Sequence, residues 1–600
     1  MKILGISAYY HDSAAAIISN GKVLYAAQEE RFTRIKNDAS FPEEAIKFCL
    51  NESGFDLGDI DAIAFYDKPF LKFERLLETY YAFAPKGFKS FVKAMPVWLK
   101  EKLFIKQIIR KRLRQIYKIS KVSKIDIVFP EHHLSHIASA FYTSPFKKSA
   151  FITVDGVGEW TTTSYGIACG EKGIKIMGEL QFPDSIGLFY SSFTYFLGFE
   201  VNKGEYKMMG LAPYSNAKSG RVIQFIDTIK EKLIDIKDDG SIKLNTDYFE
   251  YPVGLRMVNP KKWEKLFQFR KRKPQETLTQ VHADLAFAVQ KILEQVLVKM
   301  IIHVKQQTNA DYLCLAGGVA LNCVANSTLY HQKIFKDIYI QPAAGDAGGA
   351  IGAALSTNYL KSNLTFSGLH DPFNNYLGPN FSNLEIERVL RKNKCNFQYF
   401  ESSEDLYKEI ANYIAEKKVI GWFQGRTEFG PRALGNRSIL ADATDSDMQS
   451  KLNLKIKFRE SFRPFAPAVC EEDYDIYFEQ GKQSYYMLFT NELKRSLVKK
   501  LPNNFDELSL EEKRNLVKSK LPAITHTDFS ARVQVVKKSM NPRFWNLLQA
   551  YKKLTGNGVL INTSFNVKDE PIVNTPENAY LCFMHTGMDI LVLENYLIVK

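Results

Sequence analysis

The chain of 600 residues has no run of about 18 uncharged apolar residues, the least that a membrane-crossing helix needs. Its greasiest long segment, "LAFAVQKILEQVLVKMIIHV", is broken by lysines and a glutamate, so no membrane span is expected. The N-terminus lacks the basic head, apolar middle and small-residue cleavage site of a secretory signal, and a cytoplasmic protein is expected. Cysteine is sparse: seven residues, at 49, 169, 314, 323, 395, 470 and 582, contain no CxxC pair. That excludes a disulfide framework and the usual zinc or redox motifs, and free thiols are expected. Low-complexity tracts are absent. Histidine is also scarce, with ten in the chain, yet three fall within five positions of "PEHHLSHIASAFYTSPF".

What is present suits a globular protein of at least two domains, since 45% apolar composition supplies cores and 600 residues exceed what one core holds. The net charge of +14 suits anionic partners without choosing among nucleic acid, membrane and phosphorylated small molecules. Much of it sits in Lys86 to Lys124, where basic and apolar residues alternate at roughly helical spacing. An amphipathic insertion with a solvated basic face is the plainest reading of that stretch.

Two segments share a plan of strand, turn, strand, tight turn, strand: "KILGISAYYHDSAAAIISNGKVLYAAQEE", with an Asn20-Gly21 hairpin turn, and "SAFITVDGVGEWTTTSYGIACGEKGIKIMGEL". This duplication predicts two similar α/β halves, as in actin-like ATPases, which is an analogy of fold. Composition shifts to Asn, Ser, Gly and Pro over 356 to 382, predicting a domain boundary near Phe373: residues 1–372 in one domain and 373–600 in another. The charged stretch Asn491 to Lys520 reads as a surface excursion of the second.

A helix starting at Pro130 would project His132 and His136 from one face, where two imidazoles can share an ion. Alone, that spacing fits a histidine-lined cleft equally well. Asp155 and Asp346, read as closing two buried strands where α/β sheets present ligands, favour the metal. His133 points elsewhere and is expected to be structural. The turn "LAGGVALN" carries Gly317, Gly318 and Asn322 and would let backbone amides approach a nucleotide; tight packing of a helix on a sheet would use the same glycines. "NKGEYKMMGLAPY", with Lys207 and Gly210, reads as a loop able to close over phosphates. His11 and Asp12 sit at the first hairpin, where the imidazole could take a proton from an attacking hydroxyl. In the second half, "QGRTEFGPRALGNRSIL" brings Arg426, Arg432 and Arg437, and "KIKFRESFRPFAP" brings Lys455, Lys457, Arg459 and Arg463, a set suited to phosphate or carboxylate. "VLINTSFN" adds the polar ends Asn562, Ser564 and Asn566.

Through "HDSAAA", "EERFTRIK", "HHLSHIASA", "VDGVGE", "KMMGLAPY", "AGGVALN", "GDAGGA", "GRTEFGPRALGNRSIL", "FRPFAP" and "NTSFN", nearly the whole chain resembles the O-carbamoyltransferases of nodulation-factor and antibiotic biosynthesis. The resemblance implies an N-terminal duplicated actin-like ATPase domain of Kae1-like type, followed by a C-terminal α/β YrdC-like domain. It implies metal ligation by His132, His136, Asp155 and Asp346, with Fe2+ the metal or another divalent ion in its place, and Mg2+ as a further cation. ATP contacts fall on Lys207, Gly210, Gly317, Gly318, Asn322 and Asp346. Carbamoyl phosphate contacts fall on Arg426, Arg432, Arg437, Lys457, Arg459, Arg463, Arg532, Asn562, Ser564 and Asn566. Among these, Lys457 and Arg459 match a KxR pattern and Ser564 and Asn566 an SxN pattern. One departure stands out: "THTDFSARVQ" has Phe529 where the family pattern calls for glycine, which weakens the assignment of Arg532.

The activity so implied is transfer of a carbamoyl group, by way of carbamoyl adenylate made from carbamoyl phosphate and ATP, to a hydroxyl of a small molecule. His11, Asp12, Lys457 and Arg459 are the candidate catalytic residues. The acceptor is open, a homodimer is compatible with the sequence, and nucleic acid is not the expected partner. The rival readings are threonylcarbamoyl transfer to tRNA and a noncatalytic nucleotide-binding scaffold.

Overall fold

The computed structural model describes residues 1–98, 104–117, 125–362 and 364–600. The parts of the basic insertion at 99–103 and 118–124 therefore lie outside the described residues. Two compact units divide the chain: Met1–Glu29 with Ala39–Phe373, and Glu30–Asp38 with Asn374–Lys600. The sequence expectation put residues 30–38 in the N-terminal domain. The structure corrects this: Arg31 Nη2 donates to the Gly430 carbonyl at 2.8 Å, and Arg34 donates to the carbonyls of Pro571 and Ile572 at 2.8 and 2.6 Å. Hydrogen bonds spanning some 400 to 540 positions leave no trace in local pattern.

The first unit holds two five-stranded sheets of the same plan. In one, β1 (Lys2–Ser7), β2 (Ala14–Ser19) and β3 (Lys22–Gln28) form an antiparallel meander, and β4 (Ala62–Phe65) and β5 (Asp126–Val128) extend it in parallel from β1. In the other, β6 (Lys148–Val154), β7 (Thr161–Cys169) and β8 (Gly173–Gln181) meander, and β9 (Tyr312–Ala316) and β10 (Asp337–Ile340) extend from β6. The duplication read in the sequence is thus present as topology. The Asn20-Gly21 turn has φ of 50° and 78°, the left-handed pair that a tight hairpin requires and that Asn-Gly supplies at low cost. β1 and β2 are almost wholly buried, which is why they read as continuous apolar runs.

Six helices of this unit matter below: α1 (Pro69–Ala82), α2 (Phe88–Val97), α3 (Ile105–Tyr117), α4 (His132–Phe141), α5 (Gln280–Thr308) and α6 (Asp346–Lys361). α5 carries the greasy segment singled out above. Its Leu285, Val289, Ile292, Val296 and Met300 are buried in protein, and among the described residues no helix is long and apolar enough to cross a membrane.

The second unit is built on an eight-stranded mixed sheet. Its order is β11 (Gln398–Tyr399), β18 (Tyr596–Val599), β17 (Ile590–Leu593), β12 (Ile420–Phe423), β13 (Arg437–Asp442), β16 (Val559–Ser564), β14 (Ala466–Cys470) and β15 (Gln534–Val536). One face packs α7 (Ser403–Ala415) and α8 (Pro542–Thr555) through Leu406, Ile410, Ile414, Leu547 and Leu548. A second cluster, including Phe423, Ile439, Val469 and Ile561, contains Ala579 and Phe583 of α9 (Pro576–Met584). All seven cysteines are free, as expected.

Candidate functional site

The metal candidates converge because α4 and α6 cross at van der Waals contact. A Cβ added at Gly352 would lie 1.7 Å from the Ser135 carbonyl oxygen, so only glycine permits this approach. The crossing sets the first turn of α6 beside the histidine face of α4. Two local expectations are corrected. α4 starts at His132 with Glu131 as its cap, two residues after Pro130. Asp346 does not close a strand: β10 ends at Ile340 and Asp346 is the first residue of α6, where a carboxylate gains from the unpaired amides.

His132 Nε2 and His136 Nε2 lie 3.0 Å apart. Asp155 Oδ2 is 3.1 Å from the first and 3.7 Å from the second, while Asp346 Oδ1 is 3.8 and 3.6 Å away. The four ligand atoms fall within 4.8 Å of one another. His132, His136 and Asp346 are 1, 1 and 2% exposed. Two imidazole nitrogens facing each other between two carboxylates make a donor set of N2O2 type that suits a divalent transition metal such as iron, zinc or manganese. Among the described residues, buried Asp346 Oδ2 has no hydrogen bond, an orphan that a cation would satisfy. The residues fit a divalent metal, as the family resemblance implies.

Surrounding groups fix this cluster. The Gly318 amide donates to Asp155 Oδ1 at 2.9 Å, and the His132 amide donates to Glu159 at 3.0 Å. Gly317 has φ of 89°, and a Cβ there would meet the Val154 carbonyl at 2.2 Å, so the "LAGGVALN" turn is pressed against the end of β6 beside Asp155. Burial opposes charge on His136, but the carboxylates of Asp155 and Asp346 outweigh it and raise its pKa to about 9. Burial likewise opposes charge on His11, whose pKa Asp346 and Asp12 lift to about 9. Asp155 is held well below the usual carboxylate range: burial resists, and the two histidines prevail. His133, buried and crowded by His132 and His136, is pushed well down, and its Nδ1 lies 3.1 Å from Ser164 Oγ.

His11 belongs to the same site. Its Nε2 is 3.7 Å from Asp346 Oδ2, and its Nδ1 is 2.9 Å from Asp12 Oδ2. Beside the cluster opens a cavity of about 250 Å³ lined by Tyr10, Tyr66, Asp67, Lys72, Arg75 and Trp98, among others. Tyr66 is 1% exposed, its hydroxyl has no hydrogen-bond partner among the described residues, and its ring meets His132 edge-on at 5.3 Å. Lys72 pairs with Asp67 at 2.6 Å, and Arg75 donates to the Gly158 carbonyl at 2.7 Å. Sequence reasoning gave this wall no role, although Val157 and Gly158, inside "VDGVGE", and Trp98 and Ile105, inside the basic insertion, line it.

The remaining N-terminal candidates are less uniform. "NKGEYKMMGLAPY" is not a loop: Glu205–Leu211 is a helix, because Met208, Met209 and Leu211 bury at helical spacing. Lys207, with Nζ 5.9 Å from the Phe199 ring, and Gly210 ride on it. Asn322 is committed to structure. Its Oδ1 caps the following helix at Ala325, and its amide exchanges hydrogen bonds with Gln290.

In the second unit Lys457, 2% exposed, follows a π-helical turn over Leu452–Ile456 and reaches the end of β16. Its Nζ donates to the Ser564 carbonyl, and to the carbonyl and Oδ1 of Asn566 at 3.0 and 2.9 Å. The KxR and SxN patterns are therefore one physical unit. Burial depresses the Lys457 pKa strongly, aided by the positive charges of Arg459, Arg463 and Lys36. Lys36 comes from the "EERFTRIK" segment, to which sequence reasoning gave no role. Arg459 Nε donates to Asn453 at 2.7 Å, Arg426 Nη1 to the Gly378 carbonyl at 3.2 Å, and Arg432, Arg463 and Arg532 are half-buried. Phe529 adopts φ of 61°, the left-handed region that glycine enters without strain and a bulky side chain does not.

Arg437 corrects the expectation of a ligand arginine. It is fully buried, donates to the carbonyls of Gln424, Gly425, Asn436 and Pro379, and stacks 3.6 Å above Phe423. Such a guanidinium braces the chain. Asn562, 1% exposed and bonded to Gln534 at 2.6 Å, is similarly internal.

A family model described as Carbamoyltransferase N-terminus matches residues 2–355, and one described as Carbamoyltransferase C-terminus matches 411–600. Nodulation protein NolNO of Sinorhizobium fredii is 35% identical over 99% of this chain and 79% of its own. An uncharacterized protein of Synechocystis sp. is 50% identical over 100% of this chain and 96% of its own. Nodulation protein U of S. fredii is 26% identical over 94% of each. With both units matched and the likeness running end to end, the chain belongs to the carbamoyltransferase family and is a transferase.

Proposed function

We propose that the protein is an ATP-dependent O-carbamoyltransferase acting on a hydroxylated small molecule. The observation that carries this reading is the His132–His136–Asp155–Asp346 cluster, buried beside a glycine turn and an open cavity, in a family-matched chain. The second unit, of YrdC-like type, binds carbamoyl phosphate through Lys457, Arg459, Arg463, Arg426, Arg432 and Arg532, with Ser564 and Asn566 holding the Lys457 ammonium in place. One water hydrolyses the bound carbamoyl phosphate to carbamate and inorganic phosphate, and the carbamate oxygen attacks the ATP α-phosphate, whose bond to the β-phosphate breaks to give carbamoyl adenylate and pyrophosphate. Because free carbamate decomposes in water, the site must exclude solvent.

A divalent cation, Fe2+ by family resemblance, would be held by the four cluster residues and would orient and neutralise ATP phosphates. The first turn of α6 supplies backbone amides for phosphate oxygens, while the Gly317 and Gly318 amides are engaged by the Ala344 carbonyl and Asp155 Oδ1. The acceptor occupies the cavity, its sugar-like face against Tyr10 and Trp98 and a hydroxyl within reach of Tyr66. The acceptor oxygen attacks the carbamoyl carbon of the adenylate and AMP leaves, while His11 Nε2 takes the acceptor proton and the Asp12 carboxylate holds the ring's orientation through Nδ1. With a cation held there, the Asp346 carboxylate would pull less on His11, which it otherwise keeps protonated.

Labelled carbamoyl phosphate, ATP and Fe2+ incubated with the protein should yield labelled carbamoyl adenylate and pyrophosphate without any acceptor. ATP binding without pyrophosphate release would instead identify a scaffold. Activity that appears only with threonine and tRNA, and falls steeply with salt, would identify the tRNA-modifying alternative.

A further inference from the structure

Helix α2 is held to the first unit by one side only. Ser90 donates to the Val253 carbonyl and accepts from Tyr80 Oη at 2.9 Å, and Phe91 packs edge-on against Tyr80 with ring centroids 5.1 Å apart. On the other side Phe88 and Val92 are 71 and 53% exposed, one helical turn apart, and Pro96 continues the line. Lys86, Lys89 and Lys93 are exposed around them. Helix α3 repeats the division. Ile105, Ile109 and Leu113 are buried, while Lys106, Lys111, Arg112 and Arg114 face outward, and Phe104 just before it is 49% exposed.

Two features separate this surface from an ordinary solvated face. Over Lys86 to Lys124 the sequence carries thirteen lysines and arginines against the single acid Glu101. Of the four strongly exposed phenylalanines among the described residues, Phe70, Phe88, Phe104 and Phe458, two lie inside this insertion. A face meant only for water has no use for phenylalanine aligned with valine and proline.

We infer that α2 and α3 dock the protein on an anionic lipid surface. Phe88, Val92 and Phe104 enter the boundary between headgroups and acyl chains, and the surrounding lysines and arginines meet the anionic headgroups. Duplex nucleic acid would engage the cations and leave the apolar line unused, since its contacts are mostly to phosphates. Helix α1 is not part of the contact, because Glu74 and Glu78 are exposed between Phe70, Leu77 and Tyr81. Trp98 and Ile105 also line the cavity beside the metal cluster, so docking would bring a membrane-borne hydroxyl compound close to that cavity.

The test is flotation of the full-length protein with phosphatidylcholine vesicles, with and without phosphatidylglycerol, at low and high salt. Binding to anionic vesicles should exceed binding to neutral ones by at least about tenfold and weaken with salt. Phe88→Ser with Val92→Ser should lower it at least about fivefold. Lys89→Glu with Lys93→Glu, and separately Lys106→Glu with Arg112→Glu, should lower it at least about tenfold, with thermal unfolding unchanged in all three variants. Failure to float with anionic vesicles overturns the inference. So does wild-type binding by the Phe88/Val92 variant, or displacement from vesicles by a single-stranded RNA oligomer.

Discussion

Replacing Gly352 by alanine would test how the helix crossing builds the metal cluster. The added Cβ would fall 1.7 Å from the Ser135 carbonyl oxygen, 2.7 Å from its carbon and 2.9 Å from the Ser139 amide nitrogen. Close C···O contacts sit at about 3.3–3.6 Å, so α4 and α6 must part by about 1.5 to 2 Å. All three obstructing atoms are backbone, so no rotamer change relieves the clash. Overpacking of this kind costs about 1–3 kcal/mol, and the upper end is expected here. His132 and His136 ride on α4 and Asp346 on α6, so the ligand set opens by a similar distance, large against metal–ligand bonds of about 2.0–2.2 Å. Urea unfolding should therefore show a loss of about 3 kcal/mol, and Co2+ titration followed by visible absorption should show affinity lowered at least about tenfold. Wild-type stability with wild-type cobalt affinity would refute the claim that this contact positions the ligands.

Lys457→Ala should cut carbamoyl adenylate formation by at least about 100-fold and cost about 1–3 kcal/mol, because the acceptors on Ser564 and Asn566 lose their donor; unaltered turnover at saturating carbamoyl phosphate would remove Lys457 from the mechanism. Arg437→Lys should cost about 2–4 kcal/mol, since an ammonium cannot serve four carbonyls and stack on Phe423, while the KM for carbamoyl phosphate of the folded protein stays unchanged. A raised KM with intact stability would restore Arg437 as a ligand. Without a cation His136 keeps its proton up to about pH 9, against an ordinary value of 6.5, and a metal must displace it. Apparent Co2+ affinity should therefore rise about tenfold per pH unit between those values and level off above. By the same linkage, the cation-free protein has the full stabilisation from that proton below pH 6.5 and loses it as pH rises through 9. Calorimetric unfolding of metal-free protein at pH 6 and 10 checks the sign.

The clustered histidines and aspartates were readable because each announces itself locally: two histidines one helical turn apart, and aspartates set among glycines. The duplicated sheets were readable through paired hairpins and buried apolar strands. What escaped depends on distance. Arg31 and Arg34 anchor to carbonyls hundreds of positions away, which no spacing foretells. Tyr66, Lys72 and Arg75 line a cavity only because β4 and α1 pass the cluster, and their spacing resembles any helix start. Arg437 shows the opposite failure: an arginine among glycines looks like an anion ligand, and only full burial against four carbonyls reveals a brace. The "NKGEYKMMGLAPY" segment misled because its glycines and proline outweighed the helical spacing of Met208, Met209 and Leu211.

The most direct measurement follows carbamoyl adenylate production by metal-depleted protein as Fe2+ is added stepwise. Production should climb linearly and saturate at one equivalent per chain, and His132→Gln, His136→Gln, Asp155→Asn and Asp346→Asn should each abolish the response. Full production by the metal-depleted protein, or an iron response undiminished in those four variants, would contradict the account.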